Sequence, residues 1–230
     1  MKVVGLLGGT SWESTAVYYR LLNEETRRRL GGFHSARCLV NSVDFAGYEE
    51  RMRADRWDEI GELLAEEARR LQRGGADVLL LCTGSMHRVA PEIEAAVVIP
   101  FIHIADPVGN AATSAGLARL GLLATRYTME QDFYRGRLRD RFGIDVLIPP
   151  EPVLSEVHRV VFEELVLGDV RESSRVTYRA AMHDLAAAGA QGIVLGCTEI
   201  PMLVGPADAP VPVFDGTELH AQAAVEFALA

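Results

Sequence analysis

The chain has 230 residues, of which 49% are hydrophobic and 24% are charged, so it is long and apolar enough to bury a sizeable core. This composition excludes a disordered tail and a small scaffold held together by disulfides. The 32 acidic and 23 basic residues give a net charge of −9, which is the wrong sign for binding nucleic acid or an anionic membrane surface.

Short β-branched or leucine-rich runs alternate along the chain with longer segments of helical period. This alternation is typical of an α/β fold with parallel strands. The predicted strands are residues 3–7, 38–43, 77–81, 120–124, 144–148 and 192–195. An amphipathic helix is predicted after Trp57, and another after Ser173 and Ser174, which are candidate N-cap residues.

The N-terminal segment predicts a strand, a turn and a helix. Gly8 and Gly9 end the strand, and Thr10 with Glu13 matches a capping box whose free backbone amides favour a carboxylate or phosphate. The glycines lack the spacing of a dinucleotide-binding or P-loop motif. The apolar run before Gly8 is too short for a signal peptide or a membrane span, so we expect a complete cytoplasmic chain.

The two halves of the chain repeat the same pattern in the same order. The matching segments are residues 5–10 with 121–126, 75–86 with 189–200, and 99–101 with 211–213. The offset is nearly the same for all three pairs, which predicts two related α/β halves.

We therefore predict two similar parallel-sheet domains related by pseudo-two-fold symmetry. The first comprises residues 1–100 and 208–230, and the second comprises residues 101–207. Ligands of open parallel sheets bind beyond the carboxyl ends of the strands, so we expect the active site at the interface of the two domains.

The three cysteines differ in their predicted roles, and their odd number and spacing favour neither disulfides nor a zinc site. Cys38 and Cys82 are expected to be structural. The repeat aligns Cys197 with Thr83, each two residues after the end of a predicted strand, and polar residues follow Cys197. A thiol is a useful base or nucleophile where a helix N-terminus or a cation stabilises its thiolate, and residues 198–201 are a candidate helix start. The six histidines lack metal-ligand spacing, and His87 is expected to be structural.

Six motifs spread over nearly the whole chain carry a resemblance to a known family. They are Gly8-Gly9-Thr10-Ser11-Trp12-Glu13-Ser14-Thr15, Ser42-Val43-Asp44-Phe45, Thr83-Gly84-Ser85-Met86-His87, Ala124-Thr125-Arg126-Tyr127-Thr128-Met129, Gly196-Cys197-Thr198-Glu199-Ile200 and Phe214-Asp215. Together they resemble the aspartate/glutamate racemase family of cofactor-independent amino-acid racemases. The resemblance implies an isomerase with two α/β domains, a site between them, two opposed acid/base cysteines, no cofactor or metal, a small amino-acid substrate and a homodimer.

One catalytic position departs from the usual motif of that family. The family pattern is Cys-Asn-Thr-x-His, and the register from His87 places Thr83, Gly84 and Ser85 at its first three positions. The L-aspartate/glutamate-specific subgroup resembles this chain most and also carries threonine first. The resemblance therefore makes Thr83 and Cys197 the catalytic pair: Cys197 as thiolate removes the α-proton, and Thr83 reprotonates the opposite face.

The predicted substrate-binding residues follow from the same resemblance. They are Thr10, Met52, Gly84, Ser85, Thr125, Thr128, Glu164, Thr198 and Glu199. Met52 stands where close relatives place a polar residue, and Glu164 where aspartate-preferring relatives place a lysine for the distal carboxylate. If Glu164 faces the substrate, acidic side chains are disfavoured; the alternative for Glu164 is a solvated helix face.

Two other functions stay open at this stage. One is an enzyme similar to maleate isomerase, with Cys197 as a covalent nucleophile on a small dicarboxylate. The other is a catalytically impaired homologue that only binds amino acids and has lost activity through Thr83 and Gly84, which replace the cysteine and asparagine of the family motif.

Overall fold

The computed structural model describes Met1–Ala230 as eight strands and ten α-helices. The strands are β1 (Val4–Gly8), β2 (Cys38–Ser42), β3 (Val78–Leu81), β4 (Phe101–Ile102), β5 (Arg119–Leu123), β6 (Asp145–Leu147), β7 (Gly192–Leu195) and β8 (Val213–Asp215). The helices are α1 (Trp12–Leu30), α2 (Phe45–Arg53), α3 (Trp57–Arg73), α4 (Ala90–Ala96), α5 (Ala105–Ser114), α6 (Arg126–Glu130), α7 (Asp132–Phe142), α8 (Val153–Glu163), α9 (Glu172–Ala187) and α10 (Gly216–Leu229). None of these helices combines the length and the apolar character that a membrane span requires.

The strands form two parallel sheets with the same order. The first sheet runs β2-β1-β3-β4 and the second β6-β5-β7-β8. Every neighbouring pair is parallel, and the central strands of both sheets are almost fully buried, as expected when helices cover both faces. The predicted α/β class with two similar parallel-sheet domains is confirmed.

The chain divides into two compact units whose boundaries differ from the predicted ones. One unit comprises Met1–Ile104 and His220–Ala230, and the other comprises Ala105–Leu219. The second boundary lies later than residue 208 because β8 pairs with β7, with Val194 opposite Phe214. The edge strand of the second sheet thus precedes the return of the chain, which takes place within α10.

The core of the first unit packs one face of its sheet against two helices. Leu6 and Leu80 meet Tyr18 of α1 and Val225 of α10, and each of these side chains is almost fully enclosed. Cys82 belongs to this cluster, as expected for a structural thiol, and desolvation raises its pKa well above the ordinary cysteine value.

Two predicted helix caps fall on neighbouring residues instead. Ser11, not Thr10, is the N-cap of α1, since its side chain accepts a hydrogen bond of 3.0 Å from the Ser14 N–H. Helix α9 begins at Glu172, before Ser173 and Ser174, and has no side-chain cap. The hydroxyl of Ser174 is engaged elsewhere, because it donates to Glu164.

Gly9 adopts a conformation that no other residue tolerates well. Its φ is +92°, and an added Cβ would lie 2.2 Å from both the backbone nitrogen and the backbone oxygen of Val43. We expect Gly9→Ala to lower the free energy of unfolding by about 3 kcal/mol or more, as measured by urea denaturation. Gly75→Ala is the matched control, since its φ is +97° but nothing lies within 4 Å of the added Cβ. That variant should lose only about 1 kcal/mol, and equal losses would contradict the role of the Val43 contact.

Candidate active site

The first unit places three predicted site residues at the carboxyl edge of its sheet. Thr10 follows β1, and Thr83 and Gly84 follow the neighbouring strand β3. Thr83 is half-buried, whereas Thr10 is only 5% exposed and its hydroxyl is enclosed without a hydrogen-bond partner. An enclosed hydroxyl without a partner carries a desolvation penalty that a bound ligand or water would relieve.

His87 fixes the backbone at Thr83. Its Nδ1–H donates to the Thr83 carbonyl over 2.8 Å, and its Nε2 accepts from the Ile104 N–H over 3.2 Å. This assigns the neutral ring with the proton on Nδ1 and engages both nitrogens. The ring is fully buried and has the edge of His103 at 4.6 Å between centroids. His87 is therefore structural, as predicted, and holds the turn that carries Thr83.

Met52 and Ser85 lie on separate elements of the same unit. Ser85 begins a short 3₁₀ turn directly after Gly84, and it is half-buried. Met52 lies in the last turn of α2, also half-buried, and its carbonyl accepts from the Asp55 N–H. The binding role of Met52 stays a prediction.

The second unit places Cys197, Thr198 and Glu199 after β7, the strand equivalent to β3. The thiol of Cys197 donates to Oε2 of Glu199 over 2.9 Å. Burial, and then the negative charge of Glu199, raise the pKa of Cys197 well above its ordinary value, while the N–H groups of Glu199 and Thr198 partly oppose this. The resting group is therefore a neutral thiol.

The prediction that an α-helix starts at residues 198–201 is wrong, although the N–H groups of Thr198 and Glu199 still favour a negative sulfur. The segment directly after Cys197 forms a 3₁₀ turn, Ile200–Met202, rather than the start of an α-helix. The side chain within hydrogen-bond distance is an acid, Glu199, rather than a cation. A carboxylate in that place can accept the thiol proton, which a cation cannot do.

Thr125 and Thr128 follow β5, the strand equivalent to β1. Thr125 is the N-cap of α6, and its carbonyl accepts from the N–H groups of Thr128 and Met129. The two hydroxyls are 3.3 Å apart, and both residues are buried. The pair thus forms one compact hydroxyl-bearing turn at the carboxyl edge of the second sheet.

Glu164 is not on a solvated face, so that alternative is wrong. Glu164 directly follows α8, and its side chain is 1% exposed. The carboxylate accepts from the Ser174 hydroxyl, from Arg159 at 2.8 Å and from Arg171 at 3.5 Å. The Ser174 hydrogen bond, followed by the two arginines, lowers the pKa of Glu164, so the group is an anion at neutral pH.

Tyr134 is a polar residue of the second unit that the sequence did not single out. It lies on α7, is fully buried, and its hydroxyl has no hydrogen-bond partner. Desolvation and the charge of Asp215 raise its pKa. Asp215 itself accepts from the N–H groups of Thr217 and Glu218, as a helix-capping residue does. A tyrosine within a helix that consists largely of charged residues gives no sequence signal of such an enclosed hydroxyl.

Known proteins resemble this chain in sequence and in fold. The family profile described as Asp/Glu/Hydantoin racemase matches residues 7–224. A solved Yersinia pestis structure assigned to the Asp/Glu racemases is 47% identical with a TM-score of 0.96, and both chains are covered completely. The structure of an aspartate racemase homologue from Pyrococcus horikoshii is 29% identical with a TM-score of 0.89, again with both chains fully covered.

Curated relatives match over shorter segments. A glutamate racemase of Pseudomonas putida is 28% identical over 148 residues, which is 62% of this chain and 54% of that enzyme. A glutamate racemase of Synechococcus is 32% identical over 98 residues, which is 42% of this chain and 35% of that enzyme. The alignments thus span about half or less of the length of these two relatives.

Proposed function

Because the chain belongs to the Asp/Glu/hydantoin racemase family, we propose that it is a cofactor-independent racemase acting on aspartate- or glutamate-type amino acids. The relatives support an isomerase of the amino-acid racemase kind. The observation that carries the proposal is the hydrogen-bonded pair of Cys197 and Glu199, which follows β7 as Thr83 follows the equivalent strand β3.

In the proposed first half-reaction Cys197 acts as the base. The carboxylate of Glu199 accepts the thiol proton, and the N–H groups of Thr198 and Glu199 stabilise the sulfur anion that forms. The thiolate then takes the α-proton, leaving a carbanion on the substrate and a thiol on the enzyme.

In the second half-reaction Thr83 donates its hydroxyl proton to the opposite face of the carbanion. The alkoxide left on Thr83 takes a proton from water, and the hydroxide that forms takes the proton held by Glu199, which restores the carboxylate and the neutral Cys197 thiol. A threonine hydroxyl is a much weaker acid than a thiol, and its alkoxide is much less accessible as a base. We therefore expect turnover to be strongly directional in kcat, with the higher kcat for the enantiomer whose α-proton faces Cys197. Because two enantiomers have equal free energy, a matching difference in KM keeps kcat/KM the same in both directions.

The α-carboxylate of the substrate is assigned to hydroxyl and backbone N–H donors. Enclosed hydroxyls of Thr10, Thr125 and Thr128 follow the equivalent strands β1 and β5, which supports a shared binding role. Gly84 offers only backbone groups at a position where the family has an asparagine side chain. Ser85 and Thr198 supply further hydroxyls next to the proposed acid and base.

Glu164 is proposed to weaken the binding of acidic side chains. Arg159 and Arg171 already offset most of its charge, so the effect should be small. We expect Glu164→Gln to improve the affinity for aspartate and glutamate relative to alanine by roughly threefold, as measured by calorimetric titration, with lysine as the opposite-charge control. A shift toward lysine in this variant would contradict the assignment.

Exchange of the α-hydrogen in deuterated water tests the proposed function. The protein is incubated with a panel of L- and D-amino acids, and deuterium at the α-carbon is measured by mass spectrometry. Exchange and inversion of aspartate or glutamate are expected. Saturable binding without exchange would instead support a binding homologue, and an adduct on Cys197 would support covalent isomerase chemistry.

The family resemblance also supports a cytoplasmic homodimer in which each chain carries its own Thr83 and Cys197. Sedimentation equilibrium should then give a mass of about twice the chain mass of 25.1 kDa.

A further inference from the structure

His158 contacts the turn that carries two of the proposed substrate-binding threonines. It lies in the middle of α8, and its Nδ1 accepts a hydrogen bond of 3.2 Å from the backbone N–H of Arg126, the first residue of α6. An accepting Nδ1 requires the neutral ring with its proton on Nε2. The ring packs against Phe162, with 4.8 Å between centroids, and has Tyr127 edge-on at 6.1 Å.

The side chain of Arg126 is held by the same region of the fold. Its guanidinium donates to Glu130, Glu151 and the hydroxyl of Ser155, each over 2.6 Å. Ser155 lies on α8, one turn before His158, and it also donates to Glu151. Residues of α8 thus hold Arg126 at both its backbone and its side chain.

We propose that His158 is a positioning residue that fixes the Thr125–Thr128 turn for substrate, and that protonation of its ring releases this turn. The inference rests on the proposed function, because it assigns Thr125 and Thr128 to substrate binding. Thr125 directly precedes Arg126, and the Thr128 N–H donates to the Thr125 carbonyl. A displaced Arg126 N–H would therefore displace both hydroxyls.

The direction of the His158 pKa shift determines at which pH the turn is released. Burial first, and then the positive charge of Arg126, lower its pKa, while Glu130 partly opposes this shift. The charged and titratable groups that face the ring are Arg126, Tyr127 and Glu130 of α6. Below the folded-state pKa the ring carries two N–H donors, loses its acceptor and repels Arg126. The turn is therefore fixed at neutral pH and is released as the pH falls below the ordinary histidine value of about 6.5.

Two substitutions distinguish the effect of the hydrogen-bond acceptor at Nδ1 from the effect of the positive charge on the protonated ring. In His158→Asn the side-chain oxygen lies near the place of Nδ1 and does not titrate, whereas His158→Phe has the ring shape without an acceptor. For the amino acid that the enzyme turns over, the Phe variant should raise KM roughly fivefold at pH 7.5 with kcat within about twofold. Wild-type KM should rise in acid, and the KM of the Asn variant should stay flat. His183→Asn, an exposed histidine on α9, is the matched control and should behave as wild type.

A measurement without turnover tests the contact itself. The backbone amide resonance of Arg126 should titrate together with the His158 ring in the wild type, and should be independent of pH in the Asn variant. The inference is overturned if the chemical shift of the Arg126 amide does not change as His158 titrates, or if KM is unchanged in the Phe variant. Absence of α-hydrogen exchange with every amino acid would defeat the proposed function, while the Arg126 titration would still decide whether His158 controls the turn.

Discussion

Cys197→Ala is expected to lower the rate of α-hydrogen exchange by about a thousandfold, because the variant has no group to take the α-proton. The rate is measured by deuterium incorporation into aspartate and glutamate. Cys38→Ala is the matched control: Cys38 is likewise a half-buried free thiol, but it begins β2 and should not affect the rate. Full exchange in the Cys197 variant would show that another group is the base.

The pH profile of the same reaction tests the thiol and its partner. Since burial and Glu199 raise the pKa of Cys197, the thiol form predominates at neutral pH, and the exchange rate should rise as the pH is raised above 7. Glu199→Gln removes the negative charge that disfavours ionisation, so the profile should move to lower pH. The maximal rate should fall, because the group that accepts the thiol proton is also gone. A profile that moves to higher pH contradicts the proposed proton transfer.

Thr83→Val is expected to separate exchange from inversion. The variant keeps the shape of threonine but has no hydroxyl, so delivery of a proton to the opposite face should slow by about a hundredfold. Cys197 can still remove and return the α-proton of one enantiomer. Deuterium should therefore enter that enantiomer with retention of configuration, as detected by mass spectrometry after chiral chromatography.

Thr83→Cys is the companion variant. A second thiol is a stronger acid than the hydroxyl and its thiolate a more accessible base, so inversion should become faster than in the wild type. The kcat values of the two directions should also become more equal. Unchanged inversion in the valine variant would mean that water, rather than Thr83, protonates the carbanion.

The internal repeat was the strongest sequence signal for the fold. It predicted two similar parallel-sheet halves, and the two sheets indeed share one strand order. The six predicted strands appear with ends shifted by only a few residues. Strands β4 and β8 were not predicted, because runs of two and three residues are too short to show a period. The predicted boundary at residue 208 differs from the observed one at Leu219 for the same reason, since β8 was not predicted as a strand of the second sheet.

The candidate site was harder to predict because its chemistry depends on where side chains point. The spacing of Cys197 and Glu199 is visible in the sequence, but the hydrogen bond that keeps the thiol neutral is not. Glu164 was predicted to bind substrate, with a solvated helix face as the alternative, since charged residues are usually exposed. The buried carboxylate accepts a hydrogen bond from Ser174, which the sequence predicted to be a helix cap.

The ring of His87 gives the proposed acid a mechanical connection to the end of its own domain. One nitrogen binds the carbonyl of Thr83, and the other binds the N–H of Ile104, the last residue before the chain leaves the first unit. A displacement of the backbone at Ile104 is therefore transmitted to the backbone of Thr83 through the two hydrogen bonds of one rigid imidazole ring. Substitutions around Ile104 should thus change the alignment of the Thr83 hydroxyl even though they lie in a different segment of the sequence.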